Sequence, residues 1–260
     1  MMSIHVPTLP IAHTRTILGT AVSVSSYSDT IQRCLIWAAQ RQSRAVFFAN
    51  VHVIMEGFDD PRFQAGLNRA DILNPDGVPL VWALRALGES CASRVYGPDA
   101  MVAMLTEAED AGTPVGFYGS SQAVIDKLLC AVRRQRPNLQ IVFAESPPFR
   151  VLTPEEDADV VVRITESGAG LLFVGLGCPK QEAWIMEHIG AVPVVMLGVG
   201  AAFDFLAGTK PQAPRWMMRH GLEWIFRLVS EPRRLAKRYL KHNPRFVALF
   251  LKQWMISNSD

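Results

Sequence analysis

Six short apolar runs, at residues 45–49, 71–73, 115–118, 141–144, 171–174 and 194–197, alternate with stretches at 78–87, 99–111, 122–134 and 154–167 whose apolar residues recur every three or four positions. Continuous apolar runs of this length suit strands covered on both faces, and the three-and-four recurrence suits helices. Their alternation confines the chain to an α/β fold with a mostly parallel sheet flanked by helices. In such a sheet all strands end on one rim, where ligands bind. The polar residues that follow the predicted strands are Asn50 and His52, Asp76, Ser120 and Ser121, Lys180 and Gln181, and Asp204. The topology therefore gathers them along a single edge.

The segment 174–185, VGLGCPKQEAWI, is the most specific local pattern. A strand stops at a glycine turn, Gly175 and Gly177 allow close backbone approach, and Pro179 suits the first position of a helix. The unpaired N–H groups and positive pole of that helix predict a cradle for a phosphate or diphosphate. Lys180, Gln181 and Glu182 fall in its first turn, within reach of whatever lies at the pole. Glycine turns of this kind also serve packing alone, so the motif gains meaning from its neighbours on the rim.

Asp76 lies in NPDGVPL, between a short strand and an apolar helix. Two roles fit that position: a turn or helix cap, and a general base for a hydroxyl nucleophile. His52 is the second candidate base, since a neutral imidazole accepts a proton near pH 7. A departing diphosphate needs a metal ion or fixed positive charge. The one Asp-x-Asp string, Asp157-Ala-Asp159, falls in the first turns of a predicted helix, where acidic residues complement the dipole, so no metal ligand set and no cofactor are predicted. Arg94 and arginines near the C-terminus are the expected sources of charge.

Charge is distributed unevenly. Residues 209–260 carry eleven Lys or Arg against three acidic side chains, a net of +8, whereas residues 1–208 sum to −6. The organisation expected is a core over 1–208 and a basic, amphipathic, helical appendage over 209–260. In the appendage Leu222, Ile225, Phe226 and Val229 form a helical stripe, and Phe246, Leu249, Phe250 and Trp254 continue an apolar face beyond Pro244. Such a tail meets an anionic partner, and each basic residue near an anionic leaflet contributes roughly 1 kcal/mol. Its aromatic residues could instead stack nucleic-acid bases, but they follow the apolar stripe, so no nucleic acid is expected. A dinucleotide-dependent oxidoreductase is disfavoured because no G-x-G-x-x-G opens an early βαβ unit. The four cysteines are widely spaced, which fits a reducing cytoplasm, and the N-terminus lacks the pattern of a signal peptide. The most apolar long stretch, 192–208, contains Asp204 and several glycines and is expected to be a core strand followed by a functional loop.

Several segments together resemble the bacterial WecG/TagA/CpsF glycosyltransferases. They are FANVHVIME, ADILNPDGVPLVWALRALG, SRVYGPDAM, GFYGSS, SPPFRVLTPEE, VGLGCPKQEAWI, LGVGAAFDFLAGTKPQAPRWMM and GLEWIFRLVSEPRRLAKRYL, in family order from about residue 45 to 246. The resemblance implies a Rossmann-like, inverting transferase that moves a sugar from a UDP donor to a polyprenyl-diphosphate-linked sugar at the inner face of the cytoplasmic membrane. It places Asp76 at the family's catalytic base, and Asn50, Arg94 and Gln181 at family active-site positions. Arg227, Arg234 and Arg238 fall in the tail segment that completes the family's site at the membrane. Together with His52, Gly175, Gly177 and Lys180 these are the expected substrate-binding residues. Many members carry threonine two residues before the asparagine, where this chain has Phe48. That departure tilts the expected donor toward UDP-glucose in exopolysaccharide assembly, with UDP-N-acetylmannosamine or its uronic acid as the alternative. An amphipathic tail and an apolar body are compatible with a homo-oligomer.

Overall fold

The computed structural model describes residues 12–257. The chain opens with a hairpin of β1 (Thr14–Ile17) and β2 (Thr20–Ser23), followed by α1 (Tyr27–Ala39). Next come β3 (Arg44–Ala49), α2 (Val51–Asp59), α3 (Pro61–Leu67), β4 (Ile72–Pro75), α4 (Val78–Ala86) and α5 (Gly97–Asp110). The second half of the core comprises β5 (Val115–Gly119), α6 (Gln122–Gln135), β6 (Ile141–Glu145), α7 (Pro154–Ser167), β7 (Leu171–Gly175), α8 (Lys180–His188), β8 (Val195–Gly198) and α9 (Ala202–Leu206). Three helices follow: α10 (Arg215–Arg219), α11 (Glu223–Ser230) and α12 (Pro232–Ser257).

Six strands form one sheet in the order β4-β3-β8-β7-β5-β6, and every neighbouring pair is parallel. All six predicted strands are present, and the sheet with helices on both faces is the Rossmann-like core. Alternation along β3 shows how the layers separate: Ala45, Phe47 and Ala49 join one core with Leu73, Leu172, Val174 and Met196, while Val46 and Phe48 join the other with Phe117, Phe173 and Leu197. Phe117 stacks on Phe173 with centroids 5.7 Å apart and meets Phe203 edge-on at 5.9 Å, fixing β5, β7 and α9 to one another.

Five elements before residue 70 have no counterpart in the sequence-based expectations: β1, β2, α1, α2 and α3. The two strands have four residues each, too few to leave an alternating pattern of their own. Ser26 caps α1 through Asp29 N, and Asp60 both ends α2 and caps α3. β4 also runs further than expected. Asn74 continues the strand instead of ending it, because its Oδ1 accepts bonds from Ser25 Oγ at 2.7 Å and Thr30 Oγ1 at 2.9 Å inside the protein. On the same rim, α8 starts at Lys180 with Pro179 as its cap residue, one position later than expected.

The tail is helical, as expected, but its apolar face is used differently. Phe246 is buried with Leu249 and Phe250 packed on the main core, and Leu235 is fully buried. Phe226 packs with Tyr96 and Met218 in a small third cluster. Gln253 accepts from Leu18 N and donates to Thr16 O, both at 2.8 Å, and Arg245 grips Asp59 with contacts of 2.9 and 2.6 Å. Trp254 Nε1 donates to Ala86 O at 3.1 Å. The face read as free beyond Pro244 is thus largely occupied by the core, and α12 continues through that proline. Outward-facing apolar side chains remain at Trp216, Trp224, Val229, Leu240, Val247 and Leu251. No described helix is long and apolar enough to cross a membrane.

Candidate active site

The ends of β3 and β4 are stitched together where the chain turns into α2 and α4. Asp76 N donates to Ala49 O at 2.8 Å and Gly77 N to the same oxygen at 3.1 Å. Asn50 caps α2, its Oδ1 accepting from His52 N at 3.0 Å and Val53 N at 3.4 Å. Asp76 caps nothing: Gly77 is the cap residue of α4 and makes no side-chain cap bond. Of the two roles open to Asp76, the cap is therefore removed, and its carboxylate is left for the cavity.

Arg94 controls that carboxylate. Its Nε donates to the Asp76 carbonyl, its Nη2 lies 3.3 Å from Asp76 Oδ1 and 2.6 Å from Glu223 Oε2, and its guanidinium sits 4.3 Å above the Tyr96 ring. Burial pushes the Asp76 carboxyl up to about 7; Arg94 opposes that rise and Glu223 adds to it. A carboxyl that loses its proton near neutrality is matched to the task of accepting one there. Arg227, four residues after Glu223 on α11, reaches Glu223 Oε1 at 3.9 Å.

A cavity of about 190 Å³ under the tail is lined by Asn50, His52, Asp76 and Arg94 from the core and by Glu223, Arg227 and Arg238 from the tail. A smaller one of about 120 Å³ shares Asn50, His52, Asp76, Arg227 and Arg238 with it and adds Phe48, Gln181 and Glu182. Gln181 is buried, accepts from Gly177 N at 3.2 Å and donates to Glu182 Oε1 at 2.9 Å, so it braces the glycine turn from inside. Burial pushes Glu182 up to about 7 as well.

The remaining predicted residues face a second opening. A cleft of about 630 Å³ runs past Gly175, Gly177, Lys180, Tyr118, Trp184 and Lys210. Gly177, Gly200 and Ala201 border both this cleft and the smaller cavity, which places the two side by side along the rim. Gly175 and Gly177 differ in their reasons. A Cβ at Gly175 would lie 2.7 Å from the Phe203 ring, so packing alone demands glycine there. Gly177 has φ +79° with open space beside it, so backbone conformation is the requirement. Asp157, expected to be a solvated charge at a helix pole, instead accepts from Trp184 Nε1 at 3.2 Å and lies 2.9 Å from His188 Nε2, bracing one wall of the cleft.

The two cavities thus bring together Asn50, His52, Asp76 and Gln181 with Arg94, Arg227 and Arg238, whereas Gly175 and Lys180 belong to the adjoining cleft and Gly177 borders both. Arg234 lies on α12 with its side chain outside the described residues. Two participants lie outside the sequence-based expectations. Glu223 is one of three acidic residues in a strongly basic tail. Tyr96, whose N–H donates to Tyr27 Oη at 2.8 Å, gave no sequence signal. Glu182, expected within reach of the helix pole, lines the smaller cavity.

Residues 15–260 match the family described as Glycosyl transferase WecG/TagA/CpsF. An N-acetylglucosaminyldiphosphoundecaprenol N-acetyl-beta-D-mannosaminyltransferase from Bacillus spizizenii is 30% identical over 214 residues, which cover 82% of this chain and 80% of that relative. With a parallel sheet whose strand ends hold Asn50 and Asp76, and a match that extends across the tail supplying Glu223 and Arg227, this chain belongs to the WecG/TagA/CpsF family of glycosyltransferases.

Proposed function

We propose that the protein transfers an N-acetylmannosamine-type sugar from a UDP donor to a polyprenyl-diphosphate-linked sugar, with inversion and by single displacement. The observation that carries this reading is the position of Asp76: a largely buried carboxylate at the strand ends, raised to about 7, in a cavity shared with Arg94, Arg227 and Arg238. The acceptor hydroxyl oxygen attacks the anomeric carbon as its proton passes to Asp76. The bond from that carbon to the diphosphate breaks, and UDP leaves with the electron pair. Guanidinium groups from core and tail, with the pole of α8, supply the positive charge that the departing diphosphate requires.

The adjoining cleft has the volume of a small-molecule site, with Tyr118 and Trp184 as an aromatic wall 4.8 Å apart and Lys180 and Lys210 at its rim. It suits the nucleotide, and the smaller cavity suits the sugar beside Asp76, Asn50 and Gln181. The relative's named activity favours an N-acetylmannosaminyl donor over the glucose donor toward which Phe48 tilted the sequence reading. The outward apolar residues Trp216, Trp224, Val229 and Leu240, interspersed with tail cations, suit attachment to an anionic leaflet that carries the acceptor. The test is UDP release by the purified chain with a panel of UDP-sugars and a short-chain lipid diphosphate-sugar. UDP-N-acetylmannosamine is expected to give the highest kcat/KM, and acceptor-dependent turnover with UDP-glucose alone would overturn the donor assignment.

A further inference from the structure

Where α12 crosses α2, three side chains converge, two of them on the cavity that Asp76 also lines. His52 and Glu56 are four residues apart on α2 and so share one face, and α12 brings buried His242 against them. Glu56 Oε1 lies 3.5 Å from His52 Nδ1 and 3.3 Å from His242 Nε2, and the three potential ligand atoms lie within 4.8 Å of one another. Ligands at about 2.0–2.2 Å from a tetrahedral metal stand roughly 3.4 Å apart, so the two contacts through Glu56 already have that spacing. We propose that His52, Glu56 and His242 form a site for one divalent transition-metal ion of the zinc class, which fastens α12 to α2.

The donor set selects the class. Two imidazoles and one carboxylate suit zinc, cobalt or nickel, whereas magnesium and calcium take oxygen ligands. The neighbouring cations Lys241 and Arg245 are directed to Asp59, at 3.4 and 2.6 Å. A divalent ion there would sit between three groups that the fold has already assembled. Both histidines line the 190 Å³ cavity, which gives solvent access to a fourth coordination position. Arg238 is one helical turn before His242 on α12 and lines the same cavity, so a metal that pins His242 also sets where that guanidinium stands. His52 becomes a ligand in this assignment, in place of the substrate-binding or basic role expected from sequence.

The test uses the full chain, stripped with a chelator and titrated with Zn²⁺ by calorimetry and with Co²⁺ by visible absorption. One equivalent is expected to bind, with the intense visible bands of low-coordinate cobalt and slower hydrogen exchange in α12. Glu56→Gln and His242→Asn are each expected to weaken binding by at least about tenfold, since even outer-shell losses cost that much. Glu56→Gln preserves shape at a partly exposed position, and its circular dichroism melt reports folding, so it decides the matter if His242→Asn fails to fold. The proposal is overturned if the wild-type chain takes up no equivalent, or if Glu56→Gln binds both metals as tightly as wild type.

Discussion

Arg94 Nη2 stands 2.6 Å from Glu223 Oε2 and 3.3 Å from Asp76 Oδ1, so one guanidinium nitrogen joins the proposed base on the core to a carboxylate on α11. The tail therefore adjusts the base electrostatically as well as covering it. Glu223 raises the Asp76 pKa, and it also draws off part of the Arg94 charge that lowers it. Glu223→Gln removes the first effect and frees Arg94 for Asp76. The acidic limb of kcat/KM against pH is expected to move to lower pH in this variant, as read from initial rates across pH 5 to 9. An unmoved limb would separate Glu223 from the titration of Asp76.

Asp76→Asn tests the base itself. Loss of a positioned general base costs about 10²- to 10⁴-fold in turnover, and the acidic limb should vanish with the carboxyl. Stability should move the other way. A carboxyl whose folded pKa of about 7 exceeds its ordinary value of 3.8 binds more protons folded than unfolded between those values, so wild-type stability falls as pH rises through that window. The amide carries no charge to desolvate. Asp76→Asn is expected to be more stable than wild type at pH 8 by on the order of 1–3 kcal/mol and to show little advantage at pH 4, measured by urea denaturation at both.

The pattern of legibility follows from which forces leave periodic traces. The buried strands were readable because a sheet covered on both faces demands continuous apolar runs such as LLFV at 171–174. The rim was readable because topology, and no single motif, decides where strand ends lie. What escaped was set by long-range contact. Asn74 reads as a turn residue and becomes strand only because Ser25 and Thr30 reach it from 49 and 44 residues away in the chain. Phe246 reads as part of a continuing apolar face of the tail and becomes core because α12 lies against α2. Glu223 reads as a stray acid until Arg94, 129 residues away, is placed beside it.

Phe48 offers a test of donor choice. It is 6% exposed at the end of β3 and lines the smaller cavity together with Asn50, Asp76 and Gln181. Phe48→Thr installs a hydroxyl and enlarges the space where the sugar is proposed to sit. The ratio of kcat/KM between N-acetylhexosamine and hexose donors is expected to change by about tenfold, the scale of one pocket contact, with loss of about 3 kcal/mol of stability from the cavity created. An unchanged donor ratio in a folded variant would place the sugar elsewhere.

The two sides of the tail should respond differently to change. Phe246 is buried in the main core with Leu249 and Phe250 packed against it, and Gln253 ties α12 to the hairpin, so a chain ended at residue 208 leaves their partners on the core uncovered. Burying two such side chains is worth about 3–6 kcal/mol, and the truncated chain is expected to melt markedly below the full chain instead of persisting as an independent core. Leu240 is 77% exposed, and Leu240→Glu should leave the melting temperature within about 2 °C of wild type. If the outward face meets lipid, the same substitution weakens co-sedimentation with vesicles of anionic phospholipid, and added salt weakens it further in both proteins. Equal vesicle binding by Leu240→Glu and wild type would remove this part of α12 from the membrane contact, whatever the rest of the tail does.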